Sequence, residues 1–270
     1  MNSVTNAELT RSLDLFDLTG RSALVTGASG AFGAAAARAL AGAGAYVTLA
    51  AGNANAAERV SEAIAAAGGK SQVFAGRAES PQDAEAIVKA SVDAAGRLDV
   101  LVSASGVNIV APSVDMPAVD WQTVMDANVR GSWLIAQAAG RQMIAQGEGG
   151  KIVLVSSTRG KLGHPAGYSA YCASKAAVDG LTRTLACEWG PYAINVNAIG
   201  PTVFRSELTA WMYADEGRGK EVRETILGRI PLGRLGEPAD FAGAVIFLCS
   251  RASDFVTGQI LYADGGYTAG

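Results

Sequence analysis

Short apolar runs alternate along the chain with longer segments in which alanine and polar residues recur at helical spacing. Seven such runs predict β-strands, at Arg21–Thr26, Tyr46–Leu49, Gln72–Phe74, Val100–Val102, Ile152–Val155, Asn195–Ile199 and Ile260–Ala263. The intervening segments predict helices, at Ala34–Ala41, at Ala56–Ala67, from Pro81, from near Ala118 and over Tyr171–Glu188. Strands that are apolar at every position are buried on both faces. The pattern therefore predicts an α/β fold, a doubly wound parallel sheet of about seven strands with helices on both faces.

We expect one domain, over residues 20–270, after an N-terminal extension at residues 1–19. In doubly wound sheets, ligands bind beyond the carboxyl ends of the strands. The segment Thr202–Arg229, rich in charged and aromatic residues, lies between two predicted strands and is interpreted as an insertion over that edge. It is either a substrate lid or a solvated helical excursion, and the sequence favours neither.

The net charge of the chain and its distribution bear on which macromolecules the protein could bind. The 270 residues carry a net charge of −3 with no basic cluster, which argues against a nucleic-acid partner. No stretch approaches the roughly 18 apolar residues of a membrane span. Residues 1–20 carry Glu8, Arg11, Asp14 and Asp17 where a signal peptide would be apolar, so we expect no membrane association and a cytoplasmic location.

Cysteine and histidine are too few for several kinds of site. Cys172, Cys187 and Cys249 form no C-x-x-C pair, which predicts neither a disulfide framework nor a metal site. His164 is the single histidine, so zinc sites built on two or three histidines are excluded. Serine hydrolysis by Ser157 with His164 lacks the G-x-S-x-G turn that such chemistry uses.

A glycine-rich turn, T-G-A-S-G-A-F-G at residues 26–33, follows the first predicted strand and leads into a helix. Glycines permit a tight turn and close backbone approach, and a helix N-terminus offers free N–H groups to a pyrophosphate. Glycine is also common in ordinary strand-to-helix turns, so the turn alone is weak evidence.

Tyr171 and Lys175 lie four residues apart on a predicted helix and therefore share one face. A phenol with a pKa of about 10 is a poor acid or base at neutral pH. A neighbouring ammonium typically lowers such a pKa by roughly 1 to 3 units, toward the range useful for general acid/base work. The alternative is a core tyrosine beside a surface lysine. Ser156 and Ser157, at the end of the preceding strand, favour the catalytic interpretation, because hydroxyls at that edge can bind a substrate oxygen.

The chain resembles the short-chain dehydrogenase/reductases from Gly20 to about Tyr267. Motifs in the family order carry the resemblance: T-G-A-S-G-A-F-G, D-A-N-V-R-G at 126–131, V-S-S at 155–157, Y-C-A-S-K at 171–175, N-A-I-G-P at 197–201, P-L-G-R-L-G-E-P at 231–238 and D-G-G at 264–266. Together these motifs are highly specific. The closest likeness is to gluconate-dehydrogenase and ketoacyl-reductase-like members. The resemblance implies a Rossmann-type sheet.

The resemblance also assigns roles to four residues. Tyr171 would be the general acid/base, and Lys175 would lower the pKa of Tyr171 and hold the nicotinamide ribose. Ser157 would hydrogen-bond the substrate carbonyl or alcohol, and Asn128 would support a water chain from Lys175 to solvent. The implied activity is an NAD(P)-dependent interconversion of a secondary alcohol and a ketone by hydride transfer. The alternative is a non-catalytic dinucleotide-binding or scaffold protein of the same fold.

The expected cofactor contacts come from the ends of several strands: Gly27, Ser29, Gly30, Phe32, Gly33, Ala51, Gly52, Arg77, Ala78, Ser105, Gly106, Tyr171, Lys175, Pro201 and Val203. Ala31 stands where the family has its middle loop glycine. Neither the acid typical of NAD-preferring members nor the arginine typical of many NADP-preferring members is present at Ala51 and Gly52. A carboxylate there would repel a 2′-phosphate. Its absence favours NADP over NAD. Arg77 either supplies positive charge or is a solvated loop residue.

The expected substrate contacts combine aromatic and cationic groups: Ser157, Arg159, His164, Tyr168, Phe204, Arg205 and Trp211. Such a set suits a polyol, a sugar acid, a ketoacyl group or another oxygenated ketone. No metal is expected. The resemblance further implies a homotetramer, or a homodimer, because members of the family commonly assemble in this way.

Overall fold

The computed structural model describes residues 12–270. Within them, seven strands form one sheet: β1 (Ser22–Thr26), β2 (Tyr46–Ala51), β3 (Lys70–Ala75), β4 (Val100–Ser103), β5 (Gly150–Val155), β6 (Ile194–Ile199) and β7 (Ile260–Leu261). Their order is β3-β2-β1-β4-β5-β6-β7, and every neighbouring pair is parallel. The order reverses between β1 and β4, which creates a crevice at the carboxyl ends of these two strands.

Eight α-helices connect and cover the strands of the described chain: α1 (Ala31–Gly42), α2 (Ala54–Ala66), α3 (Pro81–Ala95), α4 (Ala118–Met125), α5 (Gly131–Gln146), α6 (Ser169–Trp189), α7 (Gly217–Leu227) and α8 (Pro238–Cys249). A π-helical turn, Asp126–Arg130, joins α4 to α5. Short 3-10 helices lie at Ser12–Phe16, Thr158–Gly160, Gly190–Tyr192, Glu207–Tyr213 and Arg251–Ser253.

Local sequence sets the helix ends. Ser80 caps α3 by accepting a hydrogen bond from the Asp83 N–H at 3.1 Å, and Pro81 occupies the first turn, where its missing N–H costs nothing. Gly96 ends the same helix in the left-handed conformation, with φ at 75°. These signals fix where α3 begins and ends, between β3 and β4. Because the strands are parallel, their carboxyl ends lie at one edge of the sheet.

Apolar side chains fill both faces of the sheet. One cluster packs α1, α8 and residues such as Leu40 and Phe241 against the sheet, and the other packs α5 and α6, with Met143 at its centre, against the opposite face. A third, smaller cluster of Ile230, Leu235 and Tyr267 lies under the segment after β6. Strand burial on both sides explains the unbroken apolar runs in the sequence.

The predicted α/β fold class is confirmed, and each of the seven predicted strands is present with ends shifted by at most two residues. The sequence analysis missed α8 and the π-helical turn. The proposed extension is described from residue 12 onward; Leu18, assigned to it, is buried in the first core cluster. The 202–229 segment contains the 3-10 helix Glu207–Tyr213 and α7, and it packs on the third cluster.

Candidate active site

The glycine-rich turn places backbone where side chains cannot fit. Gly27 has φ at +64°, and a Cβ there would lie 2.7 Å from the Ala104 carbonyl carbon and the Ser105 nitrogen. A Cβ on Gly33 would collide with the Gly27 carbonyl oxygen. Both positions therefore require glycine. Ala31, in place of the expected middle glycine, is exposed as the first residue of α1. The turn thus keeps the close backbone approach that a pyrophosphate needs.

A cavity of about 570 Å³ opens at the crevice between β1 and β4. Its lining includes nine of the expected cofactor residues: Gly27, Ser29, Gly30, Ala51, Gly52, Arg77, Ala78, Ser105 and Gly106. The glycine cradle, the start of α1 and the size of the cavity fit the phosphate and adenosine part of a dinucleotide.

Arg77 lies at the adenosine end of this cavity. Its guanidinium occupies the space that a Cβ on Gly52 would need. The side chain is 69% exposed and forms only a loose ion pair with Glu79, at 3.9 Å. Ala51 and Gly52 carry no carboxylate, and Arg77 and Glu79 both line this edge of the cavity.

Three other expected cofactor residues do not line this cavity. The Phe32 ring packs at 4.8 Å from the Phe241 ring and at 5.2 Å from the Phe204 ring, in the core under α8. Its side chain therefore supports the turn rather than facing the cavity. Pro201 is buried, and its carbonyl accepts a 3.0 Å hydrogen bond from the Thr158 N–H, whereas Val203 packs on the third cluster.

The four expected catalytic residues come from three elements. Tyr171 and Lys175 lie on α6, Ser157 follows β5, and Asn128 lies in the π-helical turn. The Lys175 Nζ donates a 2.8 Å hydrogen bond to the Val155 carbonyl oxygen and lies 5.6 Å from the centroid of the Tyr171 ring. The Ser157 side chain is buried, and its Oγ accepts from the Arg159 N–H at 3.1 Å.

Burial sets the protonation of the pair on α6. It raises the pKa of the Tyr171 phenol above its usual value, an effect that the nearby Ser157 hydroxyl opposes. The lowering of the Tyr171 pKa by Lys175 stays a prediction, since burial is the largest influence on this phenol here. Burial also lowers the pKa of Lys175 to about 8, and the Asp179 carboxylate opposes that shift. At neutral pH the site holds a neutral phenol beside an ammonium.

Asn128 is fully buried and holds three backbone and side-chain partners. Its Oδ1 accepts from the Val107 N–H at 2.7 Å, and its Nδ2 donates to the Val107 carbonyl and the Ser174 Oγ, both at 2.9 Å. A Cβ on Gly106 would lie 3.1 Å from the Asn128 Oδ1 and 3.6 Å from the Lys175 Nζ. Gly106 therefore leaves the approach to Lys175 open from the cavity side.

The expected substrate residues divide into two groups. The His164, Tyr168 and Tyr171 rings form a row, with centroid distances of 4.4 Å and 6.2 Å. Arg159 borders this row, and its guanidinium donates to the Gly163 carbonyl at 2.9 Å and to the Tyr267 hydroxyl at 3.0 Å. These residues therefore adjoin Tyr171, the expected general acid/base.

The remaining three do not join this row. Phe204 is buried in the first core cluster, so its expected place beside the substrate is corrected: its ring packs on Phe32 and Phe241. Arg205 pairs with Glu237 at 2.9 Å and lies over the Tyr213 ring. Trp211 lies on the 3-10 helix of the 202–229 segment, 49% exposed.

The sequence analysis missed Asp179, one turn beyond Lys175. Its buried carboxylate accepts a 2.5 Å hydrogen bond from the Ser156 Oγ, and Gly160 packs against it so closely that a Cβ there would lie 2.5 Å from Oδ2. Burial raises the pKa of Asp179. The i, i+4 spacing from Lys175 was the signal that could have found it.

Among residues 12–270, no three His, Cys, Asp or Glu side chains are grouped as metal ligands. Over the same range, none of the helices combines the length and the apolar character that crossing a bilayer requires.

Comparison with known proteins agrees with this geometry. A family model described as enoyl-(acyl carrier protein) reductase matches residues 27–268. An uncharacterised oxidoreductase of Mycobacterium tuberculosis is 53% identical over 255 residues, covering 94% of this chain and 93% of the relative. A short-chain type dehydrogenase/reductase from Mycobacterium marinum has a crystal structure with a TM-score of 0.87 and 37% identity, covering 96% and 99% of the two chains.

A second solved structure carries ligands. It is a gluconate 5-dehydrogenase from Burkholderia cenocepacia J2315 in complex with NADP and tartrate, with a TM-score of 0.88 and 33% identity, covering 96% of this chain and 99% of that one. The likeness of sequence and fold extends over nearly the whole of each relative. The chain therefore belongs to the short-chain dehydrogenase/reductase family of NAD(P)-dependent oxidoreductases.

Proposed function

We propose that the protein interconverts a secondary alcohol and a ketone on a polyol or sugar-acid substrate, with NAD(P) as the redox partner. One observation carries the proposal: Gly106 lines a nucleotide-sized cavity built on a glycine cradle, and a Cβ on Gly106 would lie 3.6 Å from the Lys175 Nζ. Lys175 shares α6 with Tyr171, whose phenol interacts with the Ser157 hydroxyl. The gluconate 5-dehydrogenase with bound NADP and tartrate supports the substrate class.

The nicotinamide supplies or accepts the hydride when it is bound. Ser157 orients the substrate oxygen through its hydroxyl. Tyr171 moves a proton between its phenol oxygen and that substrate oxygen. Because burial keeps the phenol neutral, Tyr171 is a proton donor in this arrangement, as ketone reduction requires. Lys175, largely protonated at pH 7, stabilises negative charge on the phenol oxygen and holds the ribose hydroxyls.

Asn128 positions Lys175 and the neighbouring backbone. Its hydrogen bonds to Val107 and Ser174 tie the π-helical turn to the segment after β4 and to α6. A widened helical turn at this point directs the amide inward, between the two elements. The role of Asn128 in a proton-carrying water chain is part of the proposal.

The proposed nucleotide is NADP. The cationic Arg77 at the adenosine end and the lack of a carboxylate at Ala51 and Gly52 support this choice, since a 2′-phosphate requires positive charge there. The NADP bound to the Burkholderia relative is consistent with it.

Three further features complete the proposal. Residues 202–229 act as a substrate lid, which includes the half-exposed Trp211. The protein assembles as a homotetramer or homodimer, supported by the exposed apolar side chains Val119, Trp133 and Phe255. The enzyme acts in the cytoplasm. Light scattering of the purified protein tests the assembly, and cell fractionation tests the location.

A fluorescence titration with NADPH and NADH, followed by a ketone screen, tests the function. We expect NADPH to quench the emission of the four tryptophans at micromolar concentration. Tyr171→Phe should bind the nucleotide equally well and lose turnover by a factor of about 10³ or more. A scaffold protein would bind the nucleotide and show no turnover with any ketone. Undiminished activity of Tyr171→Phe would refute the assignment of the proton donor.

A further inference from the structure

Two arginine side chains converge on one buried tyrosine beside the catalytic helix. The carbon atom of the Arg159 guanidinium lies 5.5 Å from the centroid of the Tyr267 ring, and that of Arg229 lies 4.4 Å from the same centroid. Arg159 comes from the turn after β5 and Arg229 from the chain just beyond α7. Tyr267 is 3% exposed, so the ring is a fixed platform for both cations.

Neither cation has an acidic partner. The ion pairs within the described part of the chain involve other arginines and lysines, and none includes Arg159 or Arg229. Arg159 uses two of its five donors, on the Gly163 carbonyl and the Tyr267 hydroxyl. The rest of the guanidinium remains available to a ligand.

The contacts of Arg159 place the arginine pair near Ser157 and Tyr171. Arg159 is two residues beyond Ser157, and its backbone N–H donates to the Ser157 Oγ. Its charge acts on the Tyr171 phenol, whose pKa it lowers against the larger effect of burial. Arg159 and Arg229 together add to burial in lowering the pKa of His164, the first ring of the aromatic row. Both cations therefore lie within electrostatic reach of the row that leads to the catalytic tyrosine.

We propose that Arg159 and Arg229 bind a carboxylate of the substrate, so that the enzyme acts on an anionic hydroxy acid or keto acid rather than on a neutral polyol. This rests on the proposed function and narrows its substrate class. Guanidinium groups bind carboxylates through paired hydrogen bonds, and two guanidinium groups without an acidic partner complement the charge of a carboxylate but not that of a neutral polyol. The distal carboxylate would orient the chain, while the hydroxyl or carbonyl reaches Ser157 and Tyr171.

Tartrate and threitol separate the two substrate classes. Both are four-carbon chains with hydroxyls on the two central carbons, and they differ at the ends, which are carboxylates in tartrate and hydroxymethyl groups in threitol. Their affinities are measured by titration calorimetry on the NADPH-saturated enzyme, in which neither diol can be oxidised. We expect tartrate to bind at least about tenfold more tightly than threitol. Arg159→Gln should weaken the binding of tartrate by about tenfold to a hundredfold and change the affinity for threitol by less than twofold. Arg229→Gln should also weaken the binding of tartrate.

Arg141→Gln is the matched control, since Arg141 is an exposed arginine of α5 paired with Glu85 and its loss removes the same charge. It should leave both affinities unchanged. Equal binding of tartrate and threitol, no binding of tartrate, or an equal loss of both ligands in Arg159→Gln would overturn the carboxylate site. NADPH titration of the same samples keeps this failure distinct from that of the proposed function, because only the latter would abolish nucleotide binding or the dependence on Tyr171.

Discussion

The Lys175 Nζ donates a 2.8 Å hydrogen bond to the carbonyl oxygen of Val155, the last residue of β5. This bond ties helix α6, which carries Tyr171, to the strand that leads into Ser157. Lys175 is 4% exposed, and burial lowers its pKa to about 8. An ammonium held on a single carbonyl in the interior costs stability. The proposed role of Lys175 in the reaction accounts for keeping that charge.

Lys175→Met should therefore stabilise the fold at pH 7 while removing activity. The pKa falls from 10.5 in the unfolded chain to about 8 in the folded one, a burial cost on the order of 3 kcal/mol. Leaving the Val155 carbonyl unpaired costs about 1 kcal/mol in return. We expect a gain in unfolding free energy of about 1 to 2 kcal/mol, measured by urea unfolding followed by circular dichroism.

The pH dependence of the unfolding free energy tests the direction of the Lys175 pKa shift. Between pH 8 and 10.5 the unfolded chain binds more protons than the folded one, so wild-type stability rises with pH through that window. The advantage of Lys175→Met should be complete below pH 8 and should shrink by pH 9.5. Lys89→Met, at an exposed position of α3, should show no such trend. An advantage that grew with pH would contradict a buried ammonium.

The strands were predictable because burial on both faces leaves an unbroken apolar run. The residues at which the strands begin and end were not predictable in this way. β3 begins at Lys70, whose register partner is Tyr46 of β2, and pairing of the two backbones extends the strand through polar residues that no apolar pattern marks. The helix α8 was missed even though Pro238 marks its first turn, because its apolar residues run on without a helical period.

The grouping of Ser157, Tyr171 and Lys175 was predictable from spacing and motif, whereas the direction of other side chains was not. Nothing in the sequence separates an aromatic residue of the core from one of the cleft, so Phe204 was assigned to the substrate although it packs on Phe241. The π-helical turn likewise depends on tertiary bonds, those of Asn128 to Val107 and Ser174. Such features arise from packing between distant segments rather than from local propensity.

Gly33→Ala should disable nucleotide binding. Its Cβ would collide with the Gly27 carbonyl oxygen, so the glycine turn and α1 would have to separate. We expect a loss of NADPH affinity of tenfold or more and a destabilisation of about 1 to 3 kcal/mol, measured by fluorescence titration and urea unfolding. Gly42→Ala, in the same helix with open space around its Cβ, is the control and should stabilise by roughly 0.5 to 1 kcal/mol. Unchanged NADPH binding in Gly33→Ala would show that the turn does not hold the phosphates.

Arg77 and Gly52 should together set the choice between NADPH and NADH. Arg77→Gln removes the cation at the adenosine end and should raise the KM for NADPH by about tenfold or more, with little effect on NADH. Gly52→Asp places a carboxylate where the Arg77 guanidinium now lies and should shift the preference further toward NADH. Steady-state kinetics with both nucleotides measure the ratio of kcat/KM values. Equal losses with both would mean that Arg77 supports the cavity without reading the phosphate, and Glu79→Gln controls for the loosely paired neighbour.

Asp179→Asn should move the pH profile of the reaction. The Asp179 carboxylate raises the pKa of Lys175 against the larger effect of burial, so its removal should lower that pKa below about 8. If the ammonium stabilises the ionised phenol oxygen, kcat/KM should fall at lower pH on the alkaline side than in the wild type. Asparagine can still accept the hydrogen bond from Ser156, so the structural connection to β5 is kept. Asp93→Asn, an exposed change of equal charge on α3, should leave the profile unmoved. A profile displaced to higher pH, or a uniform loss at every pH, would show that Asp179 acts through packing and not through the charge on Lys175.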